Sequence, residues 1–550
     1  MKPDWQTVVA RLAGTRRREA VLVAAGVALG YWLLQLSIPR VLGAFHDDAV
    51  YVALAKAIAE GDGYRSVYAV GEPVHLRYPP GLPAILAPLW WIGRSVQVVA
   101  GLAGALSILA TAASAGLVWW IARARLGLHP WVALTCALGP FFLDATVLYF
   151  SLPISEPYFV LGWAGALELA YGLRQRPGLA KAALLGVVVA ATLLTRTQAV
   201  GVLAGLLVAM LAQRTHWRQV GTFLAAAVLP LAAWAAWHGR MVAGGPSSSQ
   251  PEELSYLGWL SLDRPSQLPS FAAAALRVTW PVYWHQFALY LTDVKALGVA
   301  LLAFLSALAA AGSGVLGRPH LGLTLTVAAT AAVVLVWPWP QDRLVLPMLP
   351  FAGLLTAAGV HAALRRTVPR VRLAGYATLG LLGASVVARQ VTLRPFAYLP
   401  VSPWVVFQMP YPGHLMVANS RLVLAVSSWL SEHARPHDRV LTDAPAAIYL
   451  YTGLHAVSAR PAESFLVPSA FATPGRYLAG RIAADSVTIV VLTANHHPLA
   501  PDIAALYQRC RGVLQYVGNV LWWAGDARAF FYRIQRPDGC LRERMLGGPP

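Results

Sequence analysis

Apolar runs of roughly 20 residues, the length needed to cross a hydrocarbon core, recur through the first two thirds of this chain. They predict helical spans near residues 20–38, 97–121, 130–150, 157–173, 182–195, 198–212, 220–238, 296–316, 320–337, 343–364 and 373–388. The composition agrees: 57% of residues are hydrophobic, only 12% are charged, and the mean hydropathy is +0.56. Soluble chains carry about twice that share of charge. The expected fold class is a polytopic α-helical membrane protein of about 11 transmembrane helices.

A formal net charge of +19 would fit a nucleic-acid binder, but the placement of the charges excludes that class. Arg16-Arg17-Arg18, Arg123/Arg125, Arg174/Arg176/Lys181, Arg214/Arg218 and Arg365/Arg366/Arg370/Arg372 fall between apolar runs, mostly at alternate connections. Basic residues concentrate in cytoplasmic loops. A cytoplasmic N-terminus puts every one of these clusters inside, and an odd number of spans puts the C-terminus outside. The apolar run Ala20 to Ile38 is too long for a signal-peptide core and lacks a clear cleavage site, so it reads as a retained anchor.

Two long connections then lie outside, about residues 39–96 and 241–295. Both are rich in Trp and Tyr, which favour the membrane interface. Within the first, "PPGLPAILAPLWWIG" is too short and Pro-broken to span and reads as an interfacial or re-entrant helix. The joint "TRTQ" makes the fifth and sixth runs a helical hairpin. Residues 1–390 form the transmembrane part. In residues 391–550 the character changes: "RLVLAVSSWLSEHA" has a helical period, while "DRVLTDAP", "SVTIVVLTA" and "AFFYRIQRP" read as strands. That alternation predicts an extracytoplasmic α/β domain. Cys510 and Cys540 both fall in it and could pair there. No internal repeat of the transporter kind is present.

Chemistry-bearing residues gather in the expected outer segments. Asp47 and Asp48 open a helix running to Glu60, where Asp serves as an N-cap or, at the membrane edge, as a base for an acceptor hydroxyl. Glu156, in "SEPYF", either caps its helix before Pro157 or joins the aspartates in a shared site. Arg77, Arg196 and Arg343 are placed outside, against the positive-inside trend. Each could snorkel to headgroups; together their planar forks suit a phosphate. His46, His75 and His496-His497 lack metal-ligand spacing, and Asp62 and Asp144 read as loop or helix-end residues. Glu168, inside the fourth run, has no evident role. No nucleotide-binding or nucleophile-elbow motif occurs.

The ordered set "HDDAVYVALAKAIAEGDGY", "RYPPGLP", "SEPYF", "LLTRTQ" and "DRLVLPMLPF" resembles the GT-C superfamily of integral membrane glycosyltransferases, over about residues 20–390. The likeness is to the bacterial branch with protein O-mannosyltransferases, the aminoarabinose transferase acting on lipid A and dolichyl-phosphate-mannose-type transferases. The resemblance implies inverting transfer of a sugar from a polyprenyl-phosphate donor to a hydroxyl of a glycan, lipid or protein, on the outer face of a bacterial inner membrane. Asp47, followed four residues on by Tyr51, takes the place of the general base, with Asp48 supporting and Glu156 the acid of the second outer loop. Arg77, Tyr78, Arg196 and Arg343 form the donor and phosphate set, and Tyr51 and His46 the substrate pocket. Two departures are Tyr78, which separates Arg77 from Pro79, and Thr197-Gln198 after Arg196. No cofactor is expected to be required, although a divalent metal is compatible. The rival classes are a flippase for lipid-linked sugars, which calls for mid-bilayer charge and repeat symmetry, and a membrane-anchored envelope assembly protein, for which eleven spans are excessive.

Overall fold

The computed structural model describes residues 5–35, 41–244, 295–337, 342–397, 411–459, 476–493, 512–521 and 528–535, with scattered positions in 269–282 and 506–510. Where sequence is apolar the backbone is helical, because in hydrocarbon every N–H and C=O must be paired within its own segment. In chain order the helices are α1 (Trp5–Gln35), α2 (Asp47–Glu60), α3 (Gly81–Leu86), α4 (Pro88–Gly93), α5 (Val96–Trp120), α6 (Asp144–Phe150), α7 (Glu156–Gln175), α8 (Leu179–Thr195) and α9 (Val200–Ala212). They continue as α10 (Trp217–Gly244), α11 (Lys295–Leu316), α12 (Leu321–Leu335), α13 (Leu349–Arg365), α14 (Pro369–Ala397), α15 (Tyr411–His433), α16 (Pro445–Thr452) and α17 (Arg476–Ala484).

By length and composition, four helical stretches among the described residues can cross a membrane: Val96–Arg125, Trp217–Met241, Arg318–Leu335 and Arg343–Arg365. Shorter apolar helices include Leu179–Thr195 and Thr197–Ala212. The protein is an integral membrane protein with several apolar spans. The run expected as one helix over 130–150 is instead broken. It starts as α-helix at Pro130–Val132 and widens to a π-turn at Ala133–Leu138. It then tightens to a 3-10 turn at Gly139–Phe142 and is extended at Leu143 before α6. Pro140 lacks the N–H that a continuous helix would use. The outer connection expected at 241–295 lies largely outside the described residues, as do His496-His497.

The chain divides into two compact units. The first comprises Met1–Ser37, Gly104–Trp237 and Pro269–Leu399. Its helices approach through small residues, as membrane helices do. A Cβ on Gly201 or Gly205 would come within 2.5 Å of the Thr330 or Thr326 backbone, so α9 and α12 touch main chain to main chain there. Trp163 on α7 locks the same face: its Nε1–H donates to Thr326 Oγ1 at 3.1 Å, and its ring stacks on Phe351 at 4.0 Å. Glu168 finds its role here. Arg125 clamps it with a two-pronged contact, Nε to Oε2 at 2.9 Å and Nη2 to Oε1, and Nη1 also donates to Gln175. A paired carboxylate is tolerated at a depth where an isolated one is not.

The second unit comprises Ile38–Ala103, His238–Leu268 and Pro400–Pro550. Its centre is a five-stranded mixed sheet: β1 (Val440–Thr442), β2 (Ala456–Ser458), β3 (Ile489–Thr493), β4 (Leu514–Leu521) and β5 (Arg528–Ile534), in the order β2-β1-β3-β5-β4. β1 pairs in parallel with β2 and β3, while β5 runs antiparallel between β3 and β4. α15 packs one face through Leu422, Val426 and Leu430 against Val440, Ile489 and Phe531. α17 covers a second cluster through Leu478, Ala479 and Ile482 with Leu441 and Val490. The Cys510 sulfur is in a disulfide, and Cys540 lies outside the described residues.

Residues 41–80 are built into this sheet-bearing unit. Ala456 N–H at the β2 edge donates to the Tyr68 carbonyl (2.8 Å), and His455 Nε2 meets Glu72 Oε1 (3.2 Å). Leu42 N–H donates to the Tyr451 hydroxyl (2.9 Å), and the Lys56 ammonium lies over the Tyr449 ring at 5.6 Å.

Candidate active site

In the second unit the chain reaches α2 through a sharp reversal. His46 has φ 63° and ψ −62°, and the Asp47 N–H donates to the Phe45 carbonyl at 2.8 Å. That is the γ-turn of the rarer, strained hand. A non-glycine residue held this way costs on the order of 1–3 kcal/mol, and persists only where its surroundings over-determine it. Asp48, wholly buried, does part of that work: Oδ2 accepts from Gly43 N–H (3.0 Å) and Oδ1 from Phe45 N–H (3.3 Å). Burial pushes the Asp48 carboxyl up to about 7, against the lowering effect of the amides that donate to it.

Asp47, 7% exposed, accepts a hydrogen bond from the Tyr78 hydroxyl at 2.7 Å. Tyr78 is in turn held from several sides. Its N–H donates to His75 Nε2 (3.1 Å), its carbonyl accepts from the Tyr64 hydroxyl (2.9 Å), and its ring stacks on His75 (5.4 Å, 14°) and tilts against Tyr51 (5.0 Å). With Nε2 accepting, the neutral His75 ring carries its proton on Nδ1 and donates to Ser66 Oγ at 3.0 Å. Burial, helped by the Arg77 charge, pushes His75 down to about 3, so the ring stays neutral and keeps both bonds at ordinary pH. Arg77 lies with its guanidinium 5.6 Å from the Tyr78 ring centre.

A second cluster forms in the first unit. α8 ends at Thr195, Arg196 is extended (φ −152°, ψ 121°), and a single 3-10 turn, Thr197–Ala199, leads into α9. This is the expected hairpin, with Arg196 at its joint. Arg196 Nη1 reaches Glu156 Oε1 at 2.9 Å and donates to Ser155 Oγ at 2.7 Å, while Nε donates to Gln198 Oε1 at 2.9 Å. Gln198 Nε2 donates to the Leu344 carbonyl (2.7 Å), tying the joint to the segment that carries Arg343. Arg343 Nη1 stands 3.9 Å from the same Glu156 oxygen. Glu156 is fully buried, and its Oε1 meets the two guanidiniums as ion pairs rather than as hydrogen bonds. The triad therefore sets two guanidiniums around one carboxylate.

Of the residues singled out from sequence, Asp47, Asp48, Tyr51, Arg77, Tyr78 and the His46 turn fall in one cluster of the second unit. Glu156, Arg196 and Arg343 fall in one cluster of the first. Sequence reading gave no role to Ser155 and Tyr64, which sit inside the quoted motifs, or to Ser66 beside them, and marked Gln198 only as a departure from the family pattern. It weighed His75 only as a metal ligand. Among the described residues no three His, Cys, Asp or Glu side chains come together as a metal set.

No family model matches the chain, and no curated protein matches it in sequence. Its fold, however, is similar to that of ArnT from Cupriavidus metallidurans in the apo state, with a TM-score of 0.55 and 13% identity over 93% of this chain and 97% of that one. The same protein bound to undecaprenyl phosphate matches with a TM-score of 0.54 and 13% identity over 94% and 99%.

Proposed function

We propose, from a fold shared with ArnT over nearly the whole chain, that this protein is a GT-C glycosyltransferase that uses a polyprenyl-phosphate-linked sugar. The observation that carries the reading is the Glu156–Arg196–Arg343 triad in a chain of that fold. A lipid-linked sugar is already activated, so the enzyme must orient an acceptor hydroxyl, remove its proton and stabilise a departing phosphate. ArnT has been captured with undecaprenyl phosphate, and we carry that donor class to this chain.

In this reading the acceptor oxygen attacks the anomeric carbon from the face opposite the phosphate, inverting it, and its proton passes to Asp47. The bond to the phosphate oxygen breaks, and the electron pair stays on the lipid phosphate. Arg196 and Arg343 offset that charge, since guanidinium–phosphate hydrogen bonds are about twice as strong as neutral ones. Glu156 keeps the two cations from repelling each other before donor arrives. Arg77 assists the phosphate, Tyr78 orients Asp47, and Tyr51 and His46 shape the acceptor side. No metal is required, because the leaving group is a monophosphate. We place the N-terminus in the cytoplasm and the sheet-bearing unit outside a bacterial inner membrane.

The test is mass spectrometry of envelope glycans and glycoproteins from cells with the wild-type gene, without it, and with Asp47→Asn. The reading expects a product missing in the last two, while purified Asp47→Asn still binds undecaprenyl phosphate. A product unchanged by Asp47→Asn overturns the assignment of the base and favours a flippase or an assembly protein.

A further inference from the structure

The strained turn at His46 needs something to hold it, and Asp48 supplies only one side. The other side comes from residues 400 positions further on. Tyr451 on α16 accepts the Leu42 N–H at 2.9 Å. One residue later Gly43, at φ 89°, lies so close to α16 that a Cβ there would be 2.4 Å from the Ala447 Cβ, with Val423 of α15 at 3.6 Å. Leu42 and Gly43 are buried at this contact. Residues 42–45 are thus clamped between the Asp48 carboxylate, through Gly43 and Phe45, and the α16 surface of the sheet-bearing unit. Freed from either jaw, the γ-turn would relax, and the direction of Asp47, the next residue, would change with it.

We infer that Tyr451, with the close Gly43–Ala447 contact, is a positioning device for Asp47: the C-terminal sheet region aims the carboxylate by holding the turn that precedes it. The inference rests on the reading of Asp47 as general base. It gives the C-terminal region a task inside the transfer step, apart from any choice of acceptor. Tyr451 touches no reacting atom in this scheme; it acts through the Leu42 amide and the turn. Removing its hydroxyl leaves that amide buried without its acceptor and loosens the turn, and a displacement of about 1 Å at a reacting group can cost on the order of a hundredfold in rate.

The experiment uses the full-length protein in nanodiscs, with total lipid extract of its own cells as donor source and release of lipid phosphate as the readout. Amide hydrogen exchange over residues 41–50 is followed in parallel. Tyr451→Phe is expected to lower kcat by roughly ten- to a hundredfold with KM for donor lipid little changed, and to speed exchange at Leu42 to Asp48. Ala447→Val, which crowds Gly43 from the α16 side, is expected to do the same and serves if Tyr451→Phe does not fold. Asp47→Asn is the control: turnover is lost while exchange stays as in wild type. If Asp47→Asn is inactive but Tyr451→Phe and Ala447→Val keep wild-type kcat and exchange, the positioning role is overturned and the base survives. If Asp47→Asn keeps turnover, the base assignment falls, and the positioning role falls with it.

Discussion

Asp47 and Glu156 each open a helix, α2 and α7, and each is buried, yet their surroundings differ in kind. Glu156 stands among charges: Arg196 at 2.9 Å and Arg343 at 3.9 Å share one of its oxygens. Asp47 stands among rings, with a phenol donating to it and Tyr51, His75 and Tyr78 packed together beside it. An ion pair fixes where charge sits and is strongly damaged by loss of one member, because the other is left buried and uncompensated. A phenol that donates one hydrogen bond orients a carboxylate without neutralising it. The first arrangement suits a place where negative charge will arrive, and the second suits a group that must take up a proton.

The sharpest way to break this contrast is to remove one charge from each cluster. Asp47→Asn should cut lipid-phosphate release by roughly 10²- to 10⁴-fold, the usual contribution of a general base, with thermal stability unchanged. Arg196→Ala should instead lower unfolding stability, toward the low end of about 3–5 kcal/mol because Arg343 still faces the buried Glu156. It should weaken undecaprenyl phosphate binding as well. Denaturation and lipid-binding curves on both variants decide the matter; a fully stable Arg196→Ala protein would erase the distinction between the clusters.

Tyr78→Phe sharpens the comparison from the other side. Losing a hydrogen bond to a charged group is worth about 1.5–3 kcal/mol, so kcat should fall roughly tenfold or more. The acid limb of the pH–rate profile should move to higher pH, because a donor that favoured the ionised carboxylate has gone. An unmoved limb would mean that the phenol does not bear on the base.

The smallest effect is expected at Asp48, whose carboxyl is pushed up to about 7 by burial. Its folded-state proton affinity exceeds that of the unfolded chain, so stability is greatest below the ordinary carboxyl range and declines as pH rises toward about 7. Asp48→Asn cannot ionise, and its single oxygen accepts from only one of the two amides, Gly43 or Phe45, with its NH2 facing the other. That mismatch adds a cost that does not vary with pH, so the melting temperature of the variant relative to wild type should shift in the variant's favour by a few degrees from acid to alkaline pH. Melting curves at two pH values test this, and a shift in the opposite direction would reverse the sign of the argument.

Much of this architecture was legible in the sequence because the signals are local. The apolar runs at 182–195 and 198–212 are α8 and α9, with Arg196 at their joint as "TRTQ" implied. The strands read in "DRVLTDAP", "SVTIVVLTA" and "AFFYRIQRP" are β1, β3 and β5. β2 escaped because its Ala-Val-Ser sets one β-branched residue between two small ones, and β4 because "LQYVGNVL" mixes polar and apolar residues at a sheet edge. The break at 133–143 escaped because hydropathy counts apolar residues and says nothing about which carbonyls lose their partners. Glu168 made sense only once Arg125 was beside it, 43 positions away. The jaw formed by Tyr451 and Ala447 left no trace at all: Leu42 and Tyr451 stand 409 positions apart, and neither belongs to a recognisable pattern.

That separation also sets a clock. Ribosomes add about 5–20 residues per second, so the turn before Asp47 waits tens of seconds after its own synthesis for α16 to be made. Until then the chain has threaded most of its helices while its acid-bearing segment lacks the surface that shapes it. On the reading of Asp47 as the base, a nascent protein would be unable to act on lipid until α16 has been made and folded.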